Sequence, residues 1–301
     1  MKSNNPLRQA DPLTSQLRAA ALFIAPLLLL IGLFILIPVI GTIIGSLFRD
    51  VAFLPRRFVG LANYGRLFSD DRFWQAVRFT LLFIAISVPL EIVLGLALAL
   101  LMDADTPVRG LLRACVLIPW AIPAAISGRT WELIYNYSYG LANAIARWLH
   151  VSSDPVNWLG TSFGAFSAVI VADVWKTTPF VAIILLAGLQ AIPKELYQQA
   201  RVDRAGLFTA FWSITLPLSR PVVVVALLFR TIDGLRIFDL VYVLTHGGPG
   251  GSTTSVSLYA YEYFLTSDFG YGSAISIVLF LMALALSLVY VKVGRFGPQA
   301  Q

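Results

Sequence analysis

The sequence predicts an all-α integral membrane protein, a bundle of six membrane-spanning helices. Three observations lead there. Of the 301 residues, 58% are hydrophobic and only 13% are charged, whereas a soluble domain carries about a quarter charged residues. Mean hydropathy is high, at +0.78. Apolar runs of about 20 residues, the length of helix that crosses a ~30 Å hydrocarbon layer, recur along the chain.

These runs are Ala19–Phe48, Phe79–Met102, Leu112–Tyr135, Gly164–Ala191, Val222–Leu244 and Tyr271–Val293. The first follows a short basic segment (Lys2, Arg8, Arg18), but it is much longer than the apolar part of a signal peptide and is expected to remain as a span. Pro26, Pro38, Pro89, Pro119, Pro123 and Pro179 fall inside the runs. Each removes a backbone donor and tends to kink its helix, which a membrane tolerates where neighbouring protein satisfies the freed carbonyls. The expected organisation is a tail, 1–18, a transmembrane domain, 19–293, and a second tail, 294–301. With the N-terminus inside, Lys2, Arg8, Arg18, Arg109, Arg113, Lys194, Arg201, Arg204, Arg220, Lys292 and Arg295 face the cytoplasm. Basic residues concentrate on that side of membrane proteins, so both termini are expected to be cytoplasmic. The loop between the fifth and sixth spans then faces outward, and it has no Lys or Arg. The first outer loop departs from the rule, with Arg49, Arg56, Arg57, Arg66 and Arg72.

The net charge of +6 is scattered between apolar runs rather than gathered on a basic face, which argues against a nucleic-acid partner. Cys115 is the only cysteine, so no intrachain disulfide forms. His150 and His246 lie outside the runs without a Cys partner, and no metal site is expected.

The fifth run contains Phe229-Arg-Thr-Ile-Asp-Gly-Leu-Arg-Ile-Phe-Asp239. A charge at the bilayer centre costs about 2.5–3.5 kcal/mol, so such groups face protein or water. Arg230, Asp233, Arg236 and Asp239 are spaced by three, and neighbours of opposite sign can pair along a helix. On a continuous helix the stripe winds half-way round, and Arg230 and Asp239 point apart. Two readings stand. In one, Arg230 and Arg236 pair with acids to hold the bundle. In the other, Asp233 to Tyr242 form a wall of a solute pathway, with Phe238, Asp239 and Tyr242 on it. Trp175 and Lys176 of the fourth span reach a comparable depth, and Arg129, Trp131 and Tyr135 lie near the outer end of the third. Polar groups beside aromatic faces suit a sugar. Glu91, beside Pro89, fits either a pathway or a kink-stabilising role. His246-Gly-Gly-Pro-Gly-Gly-Ser252 lacks the Lys of a phosphate-binding loop and reads as an outer turn.

The inner segment Ile192–Pro221 carries helix signals: Pro193 at a helix start, Glu195 near the positive end of the helix dipole, and good helix formers after it. It resembles the coupling loop of binding-protein-dependent ABC importer permeases, whose pattern is E-A-A, three residues, G, nine residues, I-x-L-P. Here the frame is Gln198-Gln199-Ala200, Arg204 and Ile214-Thr215-Leu216-Pro217, with every spacing kept. Pro193 to Tyr197 and Asp203 match the sugar-importer branch. Gln198, Gln199 and Arg204 depart from the pattern, and Arg204 replaces the glycine that enters a left-handed turn without strain; Gly206, two residues on, is the candidate for that bend. Phe58–Phe83, Asp173–Leu189 and Ala226–Gly250 resemble the same branch, the last two also resembling permeases for trehalose and related α-glucosides.

The resemblance implies a six-helix bundle of the type I ABC importer (MetI-like) kind, working as a non-catalytic permease subunit in a bacterial cytoplasmic membrane. It implies a second permease subunit, two ATP-binding subunits and an extracytoplasmic sugar-binding protein as partners. No cofactor is expected on this chain, ATP and Mg being held by the partner subunits. Glu195, Gln198, Gln199, Ala200, Asp203, Arg204 and Gly206 would couple to the ATPase, and the solute would be a disaccharide such as trehalose or maltose. A permease for glycerol phosphate, a proton-coupled sugar carrier and a membrane-embedded enzyme remain as alternatives; the last two leave the spaced coupling loop without a purpose.

Overall fold

The computed structural model describes residues 12–104 and 107–293. Helix α1 (Pro12–Ile31) passes through a π-helical turn, Gly32–Leu36, into α2 (Ile37–Ser46). A hairpin of β1 (Phe48–Arg49) and β2 (Arg57–Phe58), antiparallel with Phe48 opposite Phe58, leads to α3 (Ala62–Phe68) and α4 (Asp71–Asp103). Then come α5 (Arg109–Ala121), α6 (Ala124–Ile134), α7 (Leu141–Trp148), α8 (Ser162–Gln190), α9 (Lys194–Val202) and α10 (Leu207–Ala210). A second π-helical turn, Phe211–Thr215, opens into α11 (Leu216–Leu235), followed by α12 (Asp239–Leu244), α13 (Val256–Leu265) and α14 (Phe269–Val293). Of the two expected tails, residues 1–11 and 294–301 lie outside the described residues, and α1 is already helical from Pro12.

Among the described residues, five segments are long and apolar enough to cross a membrane: Ala20–Ser46, Asp71–Asp103, Ser162–Gln190, Leu207–Leu235 and Phe269–Lys292. The pair α5 and α6, bent by 89°, has the length and composition of a sixth when the two are taken together. The third span is therefore not the single kinked helix expected over Leu112–Tyr135. Pro119 sits in the last turn of α5 and Pro123 stands just before α6, so two missing donors fall within one turn and the helix breaks. The second span starts earlier than Phe79 because Asp70 caps α4 and accepts from the Arg72 backbone N–H at 3.0 Å. The helix then holds Arg72 and Arg78 in its outer turns. The fifth span begins at Leu207, well inside the segment expected as a connection. Pro217 lies just after the π-helical turn Phe211–Thr215, inside the continuous helical run Leu207–Leu235.

Helix α8 is the centre of the bundle and the most enclosed span. It packs along α4 and α11 through two glycines. A Cβ on Gly95 would stand 2.7 Å from the Val181 side chain, and one on Gly188 would stand 2.7 Å from Val222, so only glycine permits these approaches. The resulting apolar core joins Ala99, Met102, Val181, Leu185, Leu189 and Ala226. In contrast, Leu22, Phe23, Leu29 and Phe34 of the first span are exposed, a surface made for lipid or another chain.

Three of the five arginines from Arg49 to Arg72 are matched by acids. Arg56 pairs with Asp50, Arg66 with Asp268 and Arg72 with Glu262, and Arg66 also lies 4.2 Å over the Tyr271 ring. Tyr259 and Tyr271 donate to the Asp70 carboxylate at 2.5 and 2.8 Å. Partial burial pushes that carboxyl up, but these hydroxyls and the backbone N–H groups of Arg72 and Phe73 outweigh it and hold Asp70 below the usual value. Neutralising partners lower the cost of three of these cations, Arg56, Arg66 and Arg72.

The bend after α9 sits at Arg204, whose φ is +57°, while Gly206 has φ −70° and simply precedes α10. The expectation that Gly206 takes over the bend is thus corrected: the spacing fixes the left-handed residue at 204, whatever its side chain. A left-handed conformation costs a residue with a Cβ about 1–2 kcal/mol, partly offset by the greater unfolded freedom of glycine. Arg204→Gly is therefore expected to stabilise the turn by about 0.5–1 kcal/mol, read as a higher midpoint for thermal unfolding in detergent; a lower midpoint would contradict a strained Arg204.

Candidate functional site at the broken fifth span

Arg230 is almost fully enclosed, at 2% exposure, and three carboxylates converge on it. Its Nε and Nη2 donate to the two oxygens of Glu91 on α4, the second at 2.8 Å. Nη2 also donates to Asp173 on α8 at 2.9 Å, and Nη1 to Asp233, one turn further along α11, at 2.5 Å. Glu91, at 0% exposure, is as buried as the guanidinium. One planar cation therefore ties α4, α8 and α11 together, with the fork geometry that only arginine offers. Of the readings left open above, the geometry supports the first for Arg230, whose ion pairs run between spans, and it gives Glu91 a partner across the bundle rather than beside Pro89. Asp173 was present in the sequence as one acid in an apolar run, without any local sign of its partner.

Asp233 differs from the other two acids. Its side chain is 59% exposed, and its second oxygen lies 3.7 Å from Arg236, which is exposed too. The cluster thus runs from a dry interior at Glu91 to an open surface at Asp233.

Just beyond it the helix stops. Gly234 and Leu235 end α11, Arg236 and Ile237 form a tight turn, and α12 restarts at Asp239. The continuous helix assumed for the fifth span does not exist, so the half-way winding of its charges does not apply beyond Leu235. A break in a membrane helix frees backbone groups that must be satisfied by protein. Ser255 Oγ donates to the Ile237 carbonyl at 2.6 Å and accepts from the Leu258 N–H at 3.1 Å, capping α13 at the same time. Thr80 Oγ1 accepts from the Val256 N–H at 3.1 Å.

The break turns aromatic rings toward the opened side. Phe238 and Tyr242 stack at 5.5 Å, with Tyr261 edge-on to both. Trp131 stacks on Tyr135 at 5.5 Å and meets Trp175 edge-on at 5.7 Å. Trp131, Tyr135, Phe238 and Tyr261 flank one apolar core containing Phe79, Phe83, Val169 and Leu240. Trp175 and Tyr242 keep exposed faces. Among the described residues Asp239 and Lys176 have no side-chain partner, whereas Arg129 pairs with Glu132 within α6. The structure accordingly brings Trp131 to Trp175, Phe238 to Tyr242 and Asp233 to Arg236. It places Arg129 in a local pair of its own. Tyr261 belongs to the ring cluster and had no distinguishing sequence signal. Residues 246–252 form the expected turn, with positive φ at His246, Gly247, Gly250 and Gly251.

Helix α9 presents three faces. Leu196 and Tyr197 pack on the core, where Tyr197 OH meets Thr215 Oγ1 at 3.0 Å. Lys194, Gln198 and Arg201 line a cleft beside α10. At 100° per residue Glu195, Gln199 and Val202 point away from both, and Val202 is 83% exposed. Ala200 is half-buried, while Asp203 and Gly206 are exposed in the turn that follows.

Removing one partner from a buried ionic group leaves the others uncompensated, at a cost of about 3–5 kcal/mol. Arg230→Met is therefore expected to abolish or severely lower the yield of folded protein in detergent, and Arg230→Lys to recover it only partly because the fork is lost; full stability in both would contradict the assignment.

Residues 91–295 match the family described as binding-protein-dependent transport system inner membrane component. The chain is 56% identical over 276 residues to the trehalose/maltose transport system permease protein MalF of Thermococcus litoralis, covering 91% of this chain and 93% of that one. It is 38% identical over 279 residues to the sulfoquinovosyl glycerol transport system permease protein SmoG of Agrobacterium fabrum, covering 92% and 90%. Its fold is similar, with a TM-score of 0.82 at 23% identity, to a chain from the crystal structure of a bacterial ABC transporter involved in the import of alginate, over 96% of this chain and all of the other. The span pattern, the coupling-loop frame and these likenesses agree: the chain belongs to the family of inner membrane components of binding-protein-dependent transport systems.

Proposed function

We propose that this chain is one permease subunit of an ATP-driven sugar importer, forming half of a translocation pathway for a disaccharide of the trehalose or maltose type. The observation that carries the reading is the free face of α9, held in place by the packing of Leu196 and Tyr197 on the core. Glu195, Gln199 and Val202, with Asp203, Arg204 and Gly206 in the turn, offer a docking knob for a separate motor chain. Ala200 supports the knob from within, and Gln198, on the cleft side, contributes at its edge. An exposed valine flanked by polar groups suits a small apolar socket with a polar rim.

The motor supplies what this chain lacks. ATP and Mg would be bound by two partner subunits, a second permease would complete the pathway, and an extracytoplasmic binding protein would deliver the solute. In this arrangement α9 lies on the cytoplasmic side and both termini with it, leaving the chain without a catalytic role. The sugar would meet the opened side of the fifth span. Asp233 and Asp239 would accept from its hydroxyls, Arg129 and Lys176 would donate, and Trp131, Trp175, Phe238 and Tyr242 would stack on its C–H faces. The relatives support the class, since the solutes named for both permeases are carbohydrates.

Transmission follows from chain order. Helix α9 is joined at one end to α8 and at the other, through α10, to α11. These two spans are also held together at Arg230 and Asp173. Displacing α9 would thus move a connected pair of spans rather than a loose loop.

The test is Val202→Asp in the assembled transporter. Burying an unmatched carboxylate in a socket is expected to reduce copurification of the motor chain and trehalose uptake together, by about tenfold or more, while membrane insertion is unchanged. Normal uptake of both trehalose and maltose by that variant would overturn the docking assignment; uptake of neither by the parent transporter would overturn the solute.

A further inference from the structure

The cleft beside α9 has a volume of about 1080 Å³ and is bounded by the ends of α4 and α8 and by α10. Its lining combines apolar and basic groups. Leu100, Leu189, Leu207, Phe208 and Phe211 form an apolar wall, and Leu207 is 92% exposed, so this wall is open. The lining also carries Lys194 and Arg201 on α9 and Arg109 beside the end of α4, against a single lining acid, Asp103. That acid is already matched, because Arg109 Nη2 donates to it at 3.4 Å while Arg109 Nε donates to the Met102 carbonyl at 3.1 Å. Lys194 and Arg201 have no ion pair among the described residues. Seven residues apart on α9, they share one side of the helix and stand about 10 Å apart along its axis.

The cleft sits where the spans α4 and α8 end, at the boundary between the hydrocarbon layer and water. We propose that it binds an anionic phospholipid from the leaflet on the α9 side, the headgroup phosphate resting on Lys194 and Arg201 and an acyl chain lying against Leu100, Leu207, Phe208 and Phe211. Basic pockets at the ends of membrane helices attract anionic headgroups in this way. A free phosphate would leave the apolar wall uncovered, and a zwitterionic lipid has no net charge to match the two cations. The site uses the cleft face of α9 and leaves its free face untouched, so it does not depend on what docks there.

The experiment is native mass spectrometry of the assembled transporter, titrated in mixed micelles with phosphatidylglycerol, with phosphatidylcholine, or with phosphatidylglycerol plus millimolar inorganic phosphate. Retention of phosphatidylglycerol over phosphatidylcholine is expected for the parent. The double variant Lys194→Gln/Arg201→Gln is expected to weaken it by about thirtyfold, at about fivefold per cation. Leu207→Gln, which keeps the charges, is also expected to weaken retention, and Arg220→Gln, an exposed cation outside the cleft, to leave it unchanged. Equal retention in parent and double variant, equal binding of phosphatidylcholine, or displacement by phosphate would overturn the proposal. So would a parent that holds no lipid because the motor chain fills the cleft.

Discussion

A guanidinium with almost no access to water cannot be left alone in a membrane protein, and this bundle is organised around that constraint. Arg230 needs acceptors for a planar fork of donors, and it finds them on three different spans: Glu91, Asp173 and Asp233. The apolar contacts of α4, α8 and α11 are plentiful but weakly directional, since lipid tails are as apolar as Leu. Packing through Gly95 and Gly188 brings the helices close, but it is the ion cluster that fixes their depth and rotation relative to one another. A slip by one turn would strand a charge. Buried ionic groups are best attested in this register-setting role.

The same cluster accounts for the geometry on its open side. Asp233 anchors the last full turn of α11, and the chain then breaks, with Ser255 taking the freed Ile237 carbonyl. A broken span held rigid on one flank leaves Asp233 and Tyr242 exposed on the other without losing the bundle. At the opposite end, α8 and α11 lead into and out of α9. The two spans that a motor would push through α9 are those that Arg230 pins to each other, which links a movement at the membrane surface to the level of the break.

Much of this was legible in the residues. Hydropathy located the spans because hydrocarbon imposes length and composition directly, and the fourth and sixth fall within a few residues of their expected limits. The segment Pro193–Arg201 announced α9, but with arginine at the frame's glycine position the bend was expected at Gly206, whereas the left-handed residue is Arg204. What was missed involved partners distant in sequence. Glu91 drew attention beside Pro89, but nothing in a linear chain says that its charge meets Arg230, 139 residues later. Asp173 gave no warning for the same reason. The break after Leu235 had a weak local sign in Gly234, a poor helix former, yet its stability depends on Ser255, which belongs to another element. The 89° bend between α5 and α6 was written in Pro119 and Pro123, but proline marks a break without giving its angle.

The most direct measurement is a charge-removal cycle on the central cluster. If Arg230 exists to satisfy its acids, and they to satisfy it, then Arg230→Met combined with Glu91→Gln and Asp173→Asn leaves no uncompensated charge and is expected to recover most of the thermal stability that Arg230→Met alone removes. A triple variant as unstable as the single one would show that the bundle depends on something other than this balance.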